Sequence, residues 1–118
     1  MGFVMDGLDA EAYDREYTDR QLLREARLAL SNIYVHLEDM AKAEQPLEEV
    51  LDEFPDDIGA MNDLGYLWAD QGKNLEMALE MVKKAVAKEP KNRAYRDSLG
   101  WVYYRLKRFA EAAIELEL

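Results

Sequence analysis

Apolar residues recur at helical spacing along most of the chain. Met61, Leu64 and Trp68, and again Leu99, Tyr103 and Leu106, fall three or four residues apart, the interval that puts side chains on one face of an α-helix. Alanine, leucine, glutamate, lysine and methionine are common while proline and glycine are sparse, so helix is expected throughout and almost no strand. Thr18 with Gln21 has the form of a capping box, Pro55-Asp56-Asp57 and Pro90-Lys91-Asn92 each end one helix and start another, and Gln71-Gly72-Lys73-Asn74 is a turn. These signals predict helices over residues 19–37, 40–54, 57–70, 75–88, 92–106 and 109–117. Pro46 falls inside the second and should remove one backbone hydrogen bond or kink its first turns. Residues 3–17 carry Phe3, Val4, Met5, Leu8, Tyr13 and Tyr17 in a weaker helical pattern that could pack as part of a preceding unit.

The pattern also repeats. Leu30-Ser31-Asn32-Ile33-Tyr34 aligns with Leu64-Gly65-Tyr66-Leu67-Trp68 and with Leu99-Gly100-Trp101-Val102-Tyr103, at offsets of 34 and 35 residues. Downstream of each block an alanine is followed four residues later by a larger apolar residue: Ala43 with Leu47, Ala78 with Val82, Ala112 with Leu116. The first two copies close on Pro55 and Pro90. Each copy makes physical sense as two antiparallel helices in close approach, the small residue of one facing the alanine of the other. A glycine inside a helix costs about 1 kcal/mol relative to alanine, so Gly65 and Gly100, in register, require a packing reason, and close helix contact supplies one. The extra residue of the second copy is expected in the Gly72-Lys73-Asn74 turn, where an insertion disturbs least packing.

With a Leu-small pair, an aromatic and an alanine in each copy, and a closing proline in the first two, the chain resembles the tetratricopeptide repeat family over roughly residues 20–118. Arg27, Met61 and Arg96 stand where that family's pattern has tryptophan, and Ser31 replaces glycine in the first copy. The stretch GKNLEMAL…EPKNRAYRDSLGWVYYRL is similar to bacterial members. The resemblance implies an all-α solenoid of three tandem antiparallel helix pairs forming a right-handed superhelix. An N-terminal segment, residues 1–18, whose order the pattern leaves open, would precede repeats over 19–56, 57–91 and 92–118, the last truncated and without a capping helix. It also implies that the first helix of each pair lines a concave groove. On the face of each first helix that points away from its partner lie Asn32 and His36, then Asn62, Asp63, Tyr66 and Asp70, then Asp97, Ser98, Trp101, Tyr104 and Arg105. Amides and carboxylates there can bond an extended backbone, and Tyr66 and Trp101 offer apolar area at low entropy cost. The competing reading is that Tyr66, Trp101 and Tyr104 pack between neighbouring repeats. Chaperone-binding members clamp a C-terminal carboxylate with lysines, an arginine and asparagines. Here only Asn32 fits that clamp, since Leu28, Asp63, Ala94 and Ser98 occupy the other positions, so acidic C-terminal tails should not bind.

Composition narrows the chemistry. The 118 residues leave room for one domain, and 25 Asp and Glu against 15 Lys and Arg give a net charge of −10 that repels polyphosphate and anionic membrane surfaces. There is no cysteine, hence no disulfide, thiolate nucleophile or zinc-thiolate site. No apolar run approaches the ~20 residues that cross a bilayer, and the N-terminus lacks the order of a secretory signal, so the chain reads as soluble, in the cytoplasm or the periplasm if bacterial. Met1-Gly2 and the ending on Glu115-Leu116-Glu117-Leu118 read as a piece of a longer protein. His36 is the single histidine, beside Glu38 and Asp39; without convergent ligands it reads as a helix histidine rather than a metal ligand or general base. The carboxylate runs Asp6 to Glu16 and Glu48 to Asp57 lack the calcium-loop spacing, and Ser31 and Ser98 lie outside any nucleophile motif. No metal, cofactor or catalytic residue is expected.

The function expected from these features is that of a protein-interaction scaffold, with no catalysis, holding a peptide or helix in an acidic, aromatic groove. The net charge favours a partner carrying lysine or arginine, and neither nucleic acid nor membrane. The alternative is a structural segment that stacks within a longer solenoid or self-associates through its uncapped C-terminal helix, where Ala113, Ile114 and Leu116 leave apolar positions uncovered.

Overall fold

The computed structural model describes residues 7–116 as six α-helices in succession: α1 (Gly7–His36), α2 (Met40–Glu53), α3 (Ile58–Gln71), α4 (Leu75–Lys88), α5 (Arg93–Arg105) and α6 (Phe109–Leu116). No strand occurs among the described residues. Each helix packs on its neighbours in sequence, α3 also meets α5, and the result is three stacked antiparallel pairs. The array measures 57 × 34 × 20 Å with a radius of gyration of 17.3 Å. A compact domain of this length would have about 13.5 Å, so the chain is a solenoid rather than a ball.

The caps explain where the helices begin. Asp39, Asp57 and Asn92 precede α2, α3 and α5, and each side chain accepts a hydrogen bond from a backbone N–H three residues on, at Lys42 (3.1 Å), Ala60 (3.0 Å) and Tyr95 (3.2 Å). The turns inside the three pairs share one geometry. Glu38, Gly72 and Lys107 occupy equivalent positions with φ of 61°, 71° and 64°. In each turn the next residue's N–H returns to a carbonyl of the last helical turn: Asp39 to Tyr34, Lys73 to Trp68, Arg108 to Tyr103. The second turn carries one residue more before its helix resumes, and Asn74 takes up the difference at φ 50°. The insertion therefore lies where the spacing placed it.

Helix α1 differs from expectation. It passes through Thr18 without a break and is helical from Gly7, the first described residue, so Thr18 and Gln21 form no capping box and α1 has 30 described residues where α2 to α5 have 13 or 14. Nothing in residues 8–18 stops a helix: the segment has no proline and no further glycine, and it carries Leu8, Ala10, Glu11, Ala12, Arg15 and Glu16, all good helix formers. Tyr13 and Tyr17 stand exposed on this arm. Phe3, Val4 and Met5 lie outside the described residues. Pro46 leaves α2 unbroken, so its cost is limited to the hydrogen bond its nitrogen cannot make.

The core is one continuous cluster that includes Ala43, Leu47, Val50, Leu64, Leu67, Trp68, Val82, Leu99 and Val102. Close approach within each pair is achieved in three ways. A Cβ on Gly65 would stand 2.6 Å from Val82 Cγ2 and 3.2 Å from the Ala78 carbonyl oxygen, so the glycine admits α4. Gly100 admits the Leu116 side chain, whose Cγ would be 2.6 Å from an added Cβ. In the first pair Ser31 turns the same proximity into a bond, its hydroxyl donating to the Ala43 carbonyl at 2.7 Å.

Polar contacts fix one pair against the next. Glu44 of α2 is buried, yet its carboxylate accepts from Trp68 Nε1 and from Gln71 Nε2 (3.3 Å) and pairs with Lys73 Nζ (2.9 Å), all on or just past α3. Arg24 of α1 bonds Asp57 at the start of the second pair, while Arg27 reaches Glu49 (3.2 Å) and Glu53 (3.5 Å) of α2 within its own pair. From the third pair Arg105 donates to the Ala69 carbonyl at 2.8 Å.

Candidate functional site

Of the first helices, α5 packs beside α3 while α1 faces α3 across a hollow, and the residues singled out in the sequence divide among three settings along them. Asn32, Asn62, Asp63 and Tyr66 line one hollow of about 480 Å³ between α1 and α3. Its walls are Leu28, Val35 and Leu67. Asn32 comes from α1 one turn before its end, and Asn62, Asp63 and Tyr66 follow one another around α3, so the hollow depends on how the first two pairs stack. Arg24 at Asp57, together with the Glu44 contacts to Trp68, Gln71 and Lys73, holds that stacking.

The polar floor of this hollow has an orientation that chemistry fixes. Asn62 is 7% exposed, and its Nδ2 donates to Asp63 Oδ1 at 3.2 Å. A carboxylate accepts only, so the amide nitrogen faces Asp63 and the amide oxygen points elsewhere. That oxygen is buried and has no hydrogen-bond partner. The Asp63 carboxyl is crowded enough that loss of hydration raises its pKa above the ordinary carboxylate value; the Asn62 bond opposes the rise and the charge of Asp57 adds to it. Tyr66 stands at the rim with nearly half its surface open.

A second setting lies on α5. Trp101 and Tyr104 stack with ring centroids 5.5 Å apart and planes 11° from parallel, and Phe109 meets Tyr104 edge-on at 5.6 Å. The Arg105 guanidinium lies 5.7 Å from the Trp101 centroid while its Nε is bonded to Ala69. Trp101 Nε1 is buried and without a partner. Arg105 and the inner face of Trp101 therefore help pack α5 on α3, while Tyr104 is half exposed.

The remaining predicted residues stand apart. His36 bonds the Asn32 carbonyl through Nδ1 at 2.8 Å, within the last turn of α1. Asp70 is exposed near the end of α3. Asp97 pairs with Arg93 one turn away at 2.9 Å. Ser98 is buried, its hydroxyl donating to the Ala94 carbonyl at 3.1 Å. The sequence reading passed over the apolar walls at Val35 and Leu67, because residues at helical spacing carry no sign of whether they face a core or a cavity.

No described helix is long and apolar enough to cross a membrane. Comparison with known proteins places these observations in context. The tetratricopeptide repeat family matches residues 9–58 and 62–118. A TPR repeat-containing protein of Pseudomonas aeruginosa is 38% identical over 74 residues, which make up 63% of this chain and 12% of that protein. A mutant O-GlcNAc transferase of Thermobaculum terrenum has the same fold over 81% of this chain, with a TM-score of 0.69 and 24% identity, and the match spans 20% of its own length. The chain thus corresponds to a small part of either protein.

Proposed function

The chain belongs to the tetratricopeptide repeat family, and from that premise we propose that it is an interaction scaffold that holds a peptide or helix of a partner protein along α1, α3 and α5, without catalysis of its own. Tetratricopeptide repeats generally serve protein interaction. The observation that carries the finer reading is the hollow between α1 and α3, where an asparagine amide, a carboxylate and a half-open tyrosine ring line apolar walls. An extended chain laid across it offers N–H groups to Asp63 and Asn32 and a side chain to the apolar walls.

Selection of a random displayed-peptide library on the chain tests this reading. Peptides that bind the parent and lose binding to Tyr66→Ala, with helicity unchanged by circular dichroism, support it. Failure to enrich any sequence, or enriched sequences that bind the variant equally, overturns it.

A specific observation also favours a structural role at the ends. Leu30 and Ile33 of α1 are 42% and 54% exposed, whereas their equivalents Leu64, Leu67, Leu99 and Val102 do not exceed 4% because the preceding pair covers them. At the other end Phe109 and Ile114 are likewise open. The second reading is that these faces stack head to tail with another copy. Sedimentation velocity checks it: association that rises with concentration and disappears in Ile33→Glu supports stacking, and a single monomeric species at all concentrations overturns it.

A further inference from the structure

The hollow between α1 and α3 is specific about the chemistry it can receive. Among the described residues two buried side-chain polar atoms lack a hydrogen-bond partner, and one of them, Asn62 Oδ1, belongs to a residue on the floor of this hollow. That oxygen has almost no accessible surface and is closed to a ligand, so the demand of the hollow comes from its open polar groups.

Asp63 sharpens the requirement. Its one polar partner is the neutral Asn62 amide, and among the described residues no cation pairs with it. Three arginines of α1 are already engaged elsewhere: Arg24 with Asp57, Arg27 with Glu49 and Glu53, and Arg20 with Glu53. A carboxylate left without a cation on the lining of the hollow is open to one from outside. Around it Leu28, Val35 and Leu67 provide apolar wall, and the Tyr66 ring flanks the mouth. Lysine and arginine are built for such a place, with a methylene stem that packs on apolar surface and a charged head carrying several donors. The volume, about 480 Å³, lies within the roughly 300–1,000 Å³ of small-ligand sites.

We propose that this hollow is a socket for a basic side chain of the partner, Asp63 pairing with the cationic head and Leu28, Val35, Leu67 and Tyr66 enclosing its stem. The proposal rests on the groove reading above and names what the groove selects. Arginine and lysine share the chemistry; arginine gains in addition from a planar face against Tyr66.

The test uses the whole chain, isotope-labelled, titrated with four blocked five-residue alanine peptides that carry arginine, lysine, glutamine or glutamate at the centre. The expected result is saturable shifts of the Asn62 side-chain amide and the Asp63 and Tyr66 resonances with the arginine or lysine peptide. Binding of the glutamine and glutamate peptides should be weaker by about tenfold or more. Asp63→Asn, which preserves shape and the Asn62 contact region, should erase the preference for the basic peptides while leaving helicity intact. The order of arginine and lysine then tells which head the socket fits. Equal binding of all four peptides at these resonances overturns the socket and leaves a peptide groove standing. Absence of any shift there up to millimolar peptide also overturns the socket, and the groove reading is then judged by its own library selection. A basic preference that survives Asp63→Asn places the cation elsewhere and overturns the assignment.

Discussion

Replacing Gly65 by alanine tests the reason given for a glycine in mid-helix. The change gains about 1 kcal/mol of helix propensity and removes freedom from the unfolded chain, so on an open surface it would stabilise. In this fold the new methyl arrives 2.6 Å from Val82 Cγ2 and 3.2 Å from the Ala78 carbonyl oxygen. Neither can yield cheaply: Val82 is fully buried with a β-branched side chain held to one rotamer on its helix, and the Ala78 oxygen is backbone. Overpacking of this kind costs about 1–3 kcal/mol or more, so α3 and α4 must separate and a net loss of about 1–2 kcal/mol is expected. Gly100→Ala provides the internal control. Its methyl meets Leu116 Cγ at 2.6 Å, Leu116 Cδ2 at 2.8 Å and Glu115 Cβ at 3.4 Å, all side-chain atoms in the last described turn, where rotation is cheap. That variant should lie within about 0.5 kcal/mol of the parent, because the propensity gain offsets a small repacking. Urea unfolding followed by far-ultraviolet circular dichroism reads both, as a fall in midpoint without a change of slope for Gly65→Ala alone. A Gly65→Ala midpoint equal to or above the parent's would refute the packing argument, and so would an equal loss at both positions.

Three further outcomes follow from the contacts described. Glu44→Ala should lower stability by about 2–3 kcal/mol in thermal unfolding, because Trp68 Nε1 stays buried without an acceptor and Lys73 loses its carboxylate, whereas Glu44→Gln should cost less. Two aspartates should move stability in opposite directions with pH. The Asp57 carboxyl is pushed up by burial, but the Arg24 bond and the backbone N–H groups of Ala60 and Gly59 outweigh this and hold its pKa below the ordinary value. The stability it contributes is complete above about pH 3.9 and is lost as pH falls from there through the lowered value, a loss that Asp57→Asn should not show. Asp63, raised by burial, binds its proton more tightly folded than unfolded, so its cost grows as pH rises from the ordinary carboxylate value through the raised one. Asp63→Asn should therefore unfold at higher urea than the parent at neutral pH and match it in acid. A peptide ending in the acidic EEVD tail should show no micromolar binding in a calorimetric titration, because the hollow presents Asp63 where a carboxylate clamp needs a cation.

The repeat was legible because it is written twice over, once in spacing and once in breakers. Offsets of 34 and 35 residues aligned Leu30, Leu64 and Leu99, and the Asp57 and Asn92 caps beside Pro55 and Pro90 placed helix starts within a residue of those observed. The start of α1 was not legible, since Thr18 and Gln21 have cap chemistry but the helix-forming residues before them give the chain no cause to stop. Among the candidate groove residues, the pattern put Asn62, Asp63 and Tyr66 on one helix face, and the three share a hollow. It could not show that Asn62 points inward and Ser98 is buried, because those depend on the angle at which successive pairs stack. Nor does a carboxylate at position 44 stand out among 25 acidic residues; its partners lie 24 to 29 residues away and meet it only once α2 rests on α3.

The central claim is that the surface shared by α1, α3 and α5 receives a partner chain. Its most direct measurement is chemical-shift mapping of a library-selected peptide on the isotope-labelled chain. The account predicts saturable shifts centred on Asn32, Asn62, Asp63 and Tyr66 and extending to Trp101 and Tyr104. Shifts confined to α2, α4 and α6, or to the end faces at Leu30, Ile33 and Ile114, would contradict it.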